Sequence, residues 1–295
     1  MFYDEFQECE GCEKLNEKLV KSRVPDCDGV VGRPFLEIKD ATVWQGETEA
    51  LRGITLTLSL GESVAILGPN GAGKSTFLKL LTGELRPAAM KDMQCRLFGQ
   101  RLWDLDTLRE RIGVVMPEEV NRFHPEEAAF DVVLSSLRGA YGRTRQMRFS
   151  KEEKQATVAA IRRVGMSNCI EKGFGALSSG ERRRFLIARA LVHGPEVIVL
   201  DEPSTALDFS ASARLSELLR ELEREGQTLV WVTHHPAEIP PEVERVILLK
   251  EGRIFRDGDT RKTISSETLS ELYDLPLRVR WNDGWCQARP SSSKK

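Results

Sequence analysis

Residues Ser63-Val64-Ala65-Ile66-Leu67-Gly68-Pro69-Asn70-Gly71-Ala72-Gly73-Lys74-Ser75-Thr76 contain a motif that constrains both the fold and the chemistry of this chain. Gly68, Gly73, Lys74 and Ser75 fill the fixed positions of the pattern G-x-x-x-x-G-K-[ST]. The apolar run before Gly68 predicts a buried strand, and the apolar positions after Lys74 predict a helix. A glycine-rich turn between a strand and a helix points its backbone N–H groups inward, where they bind an anion together with the helix N-terminus.

The turn is therefore predicted to bind the phosphates of a nucleoside triphosphate. Lys74 is expected to reach the β- and γ-phosphates, and the Ser75 hydroxyl to take a place on Mg²⁺. The alternative is a turn that binds nothing, which the Lys-Ser pair between strand and helix makes the weaker interpretation. A phosphate loop alone leaves GTPases, kinases and helicases open. The candidate contacts of the nucleotide are Gly68, Pro69, Asn70, Gly71, Ala72, Gly73, Lys74, Ser75 and Thr76.

Composition limits the class of protein. The 295-residue chain has a net charge of −2, which disfavours a general nucleic-acid binder. No apolar run approaches the length that spans a bilayer, and the acidic start Met1–Glu5 lacks the basic and apolar parts of a signal peptide. The six cysteines form no dense disulfide framework, and the lone C-x-x-C of Cys9 and Cys12 is a weak indication of a metal site.

The two ends of the chain differ from its middle. Residues 1–34 show little apolar periodicity and are interpreted as a poorly ordered leader. Residues 275–295 are interpreted as a tail with one strand near 277–281, followed by a frayed end. Residues 35–274 between them are predicted to form the folded domain.

The order of predicted elements within that domain indicates an α/β fold. Alternating runs over 36–44 and 51–60 predict a small antiparallel β layer, and residues 90–113 show signals of short strands and turns. Residues 117–175 are mostly helical, with a capping box at Ser150, and are interpreted as a helical subdomain inserted into the core. The helix–strand alternation that follows predicts a parallel sheet with helices on both faces.

A second apolar run ends in two carboxylates. Residues 197–200 predict a buried strand, and Asp201 and Glu202 follow it directly. Because the carboxyl ends of parallel strands meet at one edge of a sheet, Asp201 is expected beside the phosphate loop, where it can hold Mg²⁺ through water. Glu202 is expected to polarise the water that attacks the γ-phosphate. A solvated acidic turn is the alternative, which the phosphate loop makes less probable.

Further motifs narrow the class of nucleotide-binding protein. Leu177-Ser178-Ser179-Gly180-Glu181 opens a predicted helix whose hydroxyls and free N–H groups can bind a second phosphate. With the phosphate loop and the Asp-Glu pair, this run resembles the signature of the ATP-binding cassette family. Ser204-Thr205-Ala206-Leu207-Asp208 resembles the D-loop of that family, and His234 in Val232-Thr233-His234-His235 resembles its switch histidine. The resemblance covers about residues 35–258.

The resemblance implies an α/β fold of the phosphate-loop NTPase type, with a parallel sheet core, a small antiparallel β layer and an inserted helical subdomain. It implies ATP and Mg²⁺ as ligands. In this family two cassettes pair head to tail, so a homodimer is the simplest arrangement. Each ATP then lies between the phosphate loop of one cassette and the signature and D-loop of the other, and His234 holds Glu202 and its water. The signature and D-loop residues in question are Ser178, Ser179, Gly180, Glu181 and Asp208.

The sequence departs from the family pattern at two places. The family stacks adenine on an aromatic residue near the first strand turn; Trp44 is the candidate, although Gln45 is the alternative occupant of that position. The family also has a glutamine that touches Mg²⁺, whereas this chain reads Met116-Pro117-Glu118-Glu119-Val120-Asn121. The alternatives for its replacement are Glu118, Glu119 and Asn121.

The leading interpretation is an ATP-hydrolysing subunit on the cytoplasmic face of a membrane, whose partner is an integral membrane permease on another chain. Residues 232–241 and 281–285 resemble stand-alone cassettes related to a molybdate-transport-associated ATPase, without identifying the cargo. The alternative is a soluble cassette ATPase that acts on a ribosome, a nucleic acid or a protein assembly. A non-hydrolysing binding module is disfavoured by Glu202 and His234, and no direct nucleic-acid binding is expected.

Overall fold

The computed structural model describes residues 32–291, so the Cys9–Cys12 pair and almost all of the predicted leader lie outside the described residues. The strands are β1 Pro34–Gln45, β2 Thr48–Ser59, β3 Val64–Leu67, β4 Gln94–Leu97, β5 Ile112–Val115, β6 Val197–Asp201, β7 Thr228–Thr233, β8 Arg245–Lys250, β9 Arg253–Asp259, β10 Leu277–Asn282 and β11 Trp285–Pro290. The α-helices are α1 Lys74–Leu81, α2 Leu105–Arg111, α3 Ala129–Leu134, α4 Lys151–Arg163, α5 Ser179–Leu191, α6 Phe209–Arg224, α7 Thr260–Thr263 and α8 Ser266–Tyr273.

The main sheet has the strand order β5-β6-β7-β3-β8-β9. The strands from β5 to β8 in this order are parallel, and β9 is an antiparallel edge strand. In the register, Leu67 lies opposite Thr233, and Asp201 lies opposite Val232. The chain segments that follow β3, β6 and β7 therefore leave the sheet side by side at one edge, as the sequence predicted for the nucleotide motifs.

Both faces of this sheet are covered, which explains why its strands are apolar without interruption. On one face, Ile66 and Val199 belong to a core that includes α1 and the antiparallel layer. On the other face, Leu67 and Leu200 belong to a core that includes α5, α6 and α8. The predicted parallel sheet with two covered faces is confirmed.

The predicted antiparallel layer is also present, with the strand order β2-β1-β4. Register shifts within β1, between Ile38 and Ala41 and again before Trp44, join the two short predicted strands into one irregular strand. This layer brings Gln45, at the end of β1, next to the first turn of α1.

The inserted segment packs against the signature helix, because α3, α4 and α5 contact one another. The capping box at Ser150 is present, with Glu153 as its partner. The helix α3 begins only at Ala129, because the backbone N–H of Ala129 donates to the Lys172 carbonyl and that of Phe174 to the Glu127 carbonyl. Those bonds hold Ala128, directly before α3, in an extended conformation.

The region after residue 250 contains more structure than the sequence indicated. The predicted strand near 277–281 is β10, and it forms a hairpin with β11, which the sequence analysis missed. The helix α8 precedes that hairpin and buries Leu269 and Leu272 completely. Within residues 32–291, no helix is long and apolar enough to cross a membrane.

Candidate nucleotide site

The phosphate loop connects β3 to α1 and leaves no room for side chains at two of its glycines. A Cβ atom on Gly68 would lie 2.4 Å from the Leu249 carbonyl oxygen, and one on Gly73 would lie 2.8 Å from the Ala50 carbonyl oxygen. Gly73 also has a φ of 101°, in the left-handed region. No side chain caps the N-terminus of α1, so its first N–H groups remain available to an anion.

Lys74 is the buried cation of this loop, with 7% of its surface exposed. Its Nζ atom donates to the carbonyl oxygens of Gly68, at 2.7 Å, and Pro69, at 3.0 Å. Burial lowers the pKa of Lys74, and the carboxylates of Glu202 and Asp201 partly oppose that shift. Within residues 32–291, the hydrogen bonds of this buried ammonium group go to neutral carbonyls, which fits a site for a polyanion.

The other loop residues differ in exposure. Ser75 lies at the start of α1 with its side chain exposed, and Thr76 is buried beneath it. The Thr76 hydroxyl donates to Oε1 of Gln45 at 3.4 Å, so Gln45 is the β1 side chain that contacts the loop helix. Trp44 is 50% exposed, which leaves its ring free to meet a base, and its role in adenine binding stays a prediction.

Two acidic residues, Asp201 and Glu202, lie at the C-terminal end of β6 and differ in environment. Burial is the main cause that raises the pKa of Asp201 to about 6; the charges of Glu202 and Glu118 add to the shift, and those of Lys74 and Arg183 oppose it. An aspartate held in this way is poised to bind a cation, because a cation would stabilise the ionised form that burial disfavours.

Glu202 is held in a left-handed backbone conformation, with a φ of 43°, which is uncommon for a residue with a side chain. Its N–H group donates to the Val232 carbonyl at 2.8 Å. Its Oε1 atom lies 2.6 Å from Nδ1 of His234, and its Oε2 atom accepts from the Thr205 hydroxyl at 3.3 Å. The structure thus brings Glu202 and His234, which come from neighbouring strand ends, into direct contact.

Glu238 is a residue of this region that sequence analysis missed. Its Oε1 atom accepts from the Ser204 hydroxyl at 2.5 Å, and its Oε2 atom accepts from the Thr233 hydroxyl. One carboxylate therefore joins the segment after Glu202 to the residue before His234. The sequence offers no signal for this contact, because it depends on the adjacency of β6 and β7.

Of the three alternatives for the missing glutamine, Glu118 is the one whose charge affects the pKa of Asp201. Glu119 is buried and accepts a hydrogen bond from the Tyr141 hydroxyl at 2.7 Å, within the inserted segment. Glu118 is exposed, and its charge contributes to the raised pKa of Asp201. Asn121 is exposed as well.

A buried arginine lies near the same carboxylates. Arg183 of α5 is 4% exposed, and its Nη1 atom has no hydrogen-bond partner among residues 32–291. Burial lowers the pKa of Arg183, while the charges of Glu118 and Asp201 oppose this most strongly. The signature helix therefore places a positive charge close to the acidic end of β6.

The signature forms the start of α5, where Ser178 and Glu181 make a capping box. The Ser178 hydroxyl accepts from the Glu181 N–H group at 3.2 Å, and Glu181 accepts from the Ser178 N–H group at 2.7 Å. Hydrogen bonds from Ser178 lower the pKa of the Glu181 carboxyl. The predicted helix start is confirmed, and the Ser179 and Gly180 backbone N–H groups belong to its first turn.

Asp208 lies with the signature. Its carboxylate accepts from the Ala211 N–H group at 2.7 Å and so caps α6, and a Cβ atom on Gly180 would lie 2.8 Å from that of Ala211. Ser178, Gly180, Glu181 and Asp208 line one cavity of about 310 Å³ in which no residue from 68 to 76 takes part. Within one chain, the structure brings together Lys74, Asp201, Glu202 and His234, and it places the signature and Asp208 elsewhere.

Comparisons with known proteins agree with this geometry. A family model described as ABC transporter matches residues 51–205, which include the phosphate loop, the signature and the two acidic residues. The uncharacterized ABC transporter ATP-binding protein YlmA of Bacillus subtilis (strain 168) is 30% identical over 252 residues, which cover 84% of this chain and 94% of YlmA.

Two solved structures share the fold and have more than 25% sequence identity to this chain. The structure of cbiO1 from Clostridium perfringens, part of the ABC transporter complex cbiONQ, has a TM-score of 0.69 and 27% identity, and covers 81% of this chain and 94% of its own. The ATP-binding cassette MJ0796, a dimer in a post-hydrolysis state bound to ADP and Pi, has a TM-score of 0.63 and 28% identity, and covers 77% of this chain and 99% of its own.

The predicted fold class and the predicted ATP hydrolysis are confirmed by these matches and by the motifs that the structure arranges around Lys74. The resemblance to the molybdate-related subgroup stays a prediction. The chain belongs to the ABC transporter family, as one of its ATP-binding and ATP-hydrolysing proteins.

Proposed function

We propose that this protein is the ATPase subunit of an ABC transporter, in which two cassettes sandwich two ATP molecules head to tail and drive a separate integral membrane permease. The observation that carries the proposal is the separation of the two half-sites within one chain. Lys74, Glu202 and His234 form one half-site, and the cavity of Ser178 and Asp208 forms the other.

The phosphates of ATP fit the first half-site. The uncapped N-terminus of α1 and the glycines at 68 and 73 present backbone donors, and the Lys74 ammonium would exchange its carbonyl partners for phosphate oxygens. Residues 68–76 would contact the triphosphate, and the exposed ring of Trp44 would stack on the adenine.

The residues present also fit Mg²⁺. The exposed Ser75 hydroxyl and the Asp201 carboxylate are the oxygen donors that this ion prefers, and Asp201 is held in a form that a cation would stabilise. A bound Mg²⁺ ion would neutralise part of the negative charge of the phosphates. In the proposal, Ser75 and Asp201 hold it.

Glu202 and His234 are proposed as the catalytic pair. Glu202 orients the attacking water and accepts its proton, a role that typically contributes about 10²- to 10⁴-fold to the rate. The contact of 2.6 Å between Oε1 of Glu202 and Nδ1 fixes the imidazole, so that its Nε2 atom would face a γ-phosphate oxygen. The left-handed backbone of Glu202 keeps the carboxylate at the strand end, where the phosphate lies.

A second copy of the chain would complete each site. The helix start at Ser178, with Ser179, Gly180 and Glu181, would meet the γ-phosphate that the other copy holds, and Asp208 would lie at the same interface. The dimer of MJ0796 bound to ADP and Pi supports this arrangement by its likeness to this chain.

The permease and the cytoplasmic location are inferred from the relatives. The chain resembles cbiO1, which is part of a transporter complex, and the segment described by the structure contains no helix that could cross a membrane. The protein would then bind the cytoplasmic face of its permease and hydrolyse ATP there, with no direct contact to nucleic acid.

The proposal is tested with a tagged Glu202→Gln variant recovered from detergent-solubilised cells in ATP and Mg²⁺. We expect an integral membrane protein to copurify in near-equal amount, because the variant binds ATP but stalls before hydrolysis. The double variant Lys74→Ala/Glu202→Gln is the control, since it lacks the cation that holds the triphosphate, and it should recover much less of the partner. Recovery of the single variant alone, or with ribosomes, would contradict the transport role and favour the soluble ATPase.

A further inference from the structure

The C-terminal part of the chain reaches the backbone of the candidate catalytic histidine. Tyr273 is the last residue of α8, and its hydroxyl donates a hydrogen bond to the His234 carbonyl oxygen at 2.7 Å. The contact joins residues that lie far apart in sequence and belong to different elements. The imidazole of His234 makes a separate contact, between Nδ1 and Oε1 of Glu202.

The helix that carries Tyr273 is firmly held. Leu269 and Leu272 are fully buried in the core on the face of the main sheet that α5 and α6 also cover. Lys250, at the end of β8, binds the carboxylate of Asp274 at 2.7 Å and also donates to the Glu271 carbonyl. The hydroxyl of Tyr273 is thus presented from a packed helix that is tied to the main sheet at its C-terminal end.

The β10–β11 hairpin, which follows α8, covers residues 236–241, shortly after His234 in the chain. Strand β11 contacts the one-turn helix Pro236–Glu238. At the hairpin turn, a Cβ atom on Gly284 would lie 2.7 Å from Cβ of Pro241, so this turn packs closely on the end of the segment. The segment from His234 to Pro241 therefore lies against α8 and the hairpin along most of its length.

The chemistry of Tyr273 suits a fixed donor. Burial raises the pKa of its phenol, and the nearby Cys286 adds to that direction. The hydroxyl consequently keeps its proton throughout the physiological pH range. A backbone carbonyl can only accept a hydrogen bond, so the direction of this bond is fixed as well.

We propose that Tyr273 is a positioning residue for ATP hydrolysis: its hydroxyl fixes the His234 peptide, and thereby keeps the imidazole in line with Glu202. The inference rests on the proposed catalytic role of His234. Without the bond, the peptide can rotate, and the ring moves relative to the carboxylate that it orients. Small displacements of catalytic groups lower the rate of the chemical step more than they weaken substrate binding.

The test compares Tyr273→Phe with Ser266→Ala in steady-state ATPase assays of the full chain. Ser266 is a matched control, because its hydroxyl accepts from the Val279 N–H group at 2.8 Å and ties the same helix to β10 without touching His234. We expect Tyr273→Phe to lower kcat about three- to tenfold with KM for ATP unchanged, and Ser266→Ala to leave kcat near wild type. Assays are run well below the thermal unfolding midpoint of each variant.

A double-mutant cycle with His234→Ala separates this inference from the proposed function. In the His234→Ala background, Tyr273→Phe should cause no further loss of kcat, because the group that it positions is gone. If His234→Ala itself retains wild-type kcat, the catalytic role of His234 is wrong. If His234→Ala is impaired but Tyr273→Phe matches wild type, or if the two losses multiply, the positioning role is wrong. Tyr273→Leu serves as a second variant and must lower kcat at least as much as Tyr273→Phe.

Discussion

At the scale of single residues, the candidate site is assembled from groups that already have partners within the chain. Lys74 is bound to the carbonyls of its own loop, and Glu202 is bound to His234. These contacts orient both side chains toward the same edge of the sheet before any nucleotide arrives. The nucleotide therefore has to replace existing hydrogen bonds of Lys74 instead of ordering a free side chain.

Asp201 allows a prediction about stability and pH. Its pKa is raised from 3.8 to about 6, so the folded protein binds this proton more tightly than the unfolded chain does. Ionisation therefore lowers the free energy of unfolding as the pH rises from about 4 through 6. At pH 7.5, without nucleotide and with a chelator present, Asp201→Asn should be more stable than wild type by about 1–3 kcal/mol in urea unfolding.

At pH 4 the Asp201 carboxyl of the folded wild type is protonated and neutral, like the amide of Asp201→Asn. The difference in free energy of unfolding between the two proteins should then disappear. Asp208→Asn is the control, since it changes an exposed carboxylate to a residue that caps a helix equally well. An Asp201→Asn protein with the same advantage at both pH values would contradict the assignment of this cost to the buried charge.

At the scale of elements, the site depends on the segments that follow two neighbouring strands, and Glu238 joins them. Glu238→Ala leaves the hydroxyls of Ser204 and Thr233 without their acceptor. We expect kcat for ATP hydrolysis to fall about ten- to hundredfold, because both catalytic segments lose a shared support. The free energy of unfolding should fall by about 1–3 kcal/mol. The value of kcat and the free energy of unfolding are both measured on the purified protein.

The matched comparison for that prediction is the double substitution Ser204→Ala/Thr233→Ala, which removes the two donors and keeps the carboxylate. Combined with Glu238→Ala, it should add to the loss of kcat only the effect of losing the hydrogen bond from the His235 N–H group to the Thr233 hydroxyl, since the other two bonds are removed from either side. Fully multiplicative losses would show that Glu238 acts through other contacts.

Some elements were predictable from the sequence because a single physical signal was strong. The strands β3, β6 and β7 are uninterrupted apolar runs, and the capping boxes at Ser150 and Ser178 mark helix starts. The helix α2 was missed, because only Leu108 is buried and its seven residues give little periodicity. The strand β11 was missed because its inward face packs on one loop and its other positions are mostly exposed.

The residues of the candidate site were likewise predictable where the signal lay within a short stretch of sequence. Lys74 was predicted from the phosphate-loop pattern, and Glu202 from the apolar run that ends in two carboxylates, so each depended on a local signal. Glu238 was not predicted to contact the site, and Gln45 was considered only as the alternative occupant of the adenine position, because the contacts of both residues are to elements distant in sequence. The replacement for the missing glutamine stays a prediction with three alternatives, of which Glu118 is the one whose charge adds to the raised pKa of Asp201.

At the scale of the whole molecule, the separation of the two half-sites predicts association that depends on ATP. Glu202→Gln in ATP and Mg²⁺ should elute as a dimer in size-exclusion chromatography with light scattering, because stalled hydrolysis keeps the bridging nucleotide in place. Lys74→Ala/Glu202→Gln should remain a monomer under the same conditions. A monomeric Glu202→Gln protein at saturating ATP would contradict the head-to-tail pairing.

The hydrogen bond between Tyr273 and the His234 carbonyl also sets a rule for building chimeras. A junction placed after β9 would look safe, since it follows the last strand of the main sheet. Such a junction would nevertheless separate residues 234–241 from α8 and from the β10–β11 hairpin, which pack on them. A chimera with a relative that is shorter or has a different C-terminal region should therefore take residues 234–241 and residues 266–290 from the same parent, although the two stretches are separated along the chain.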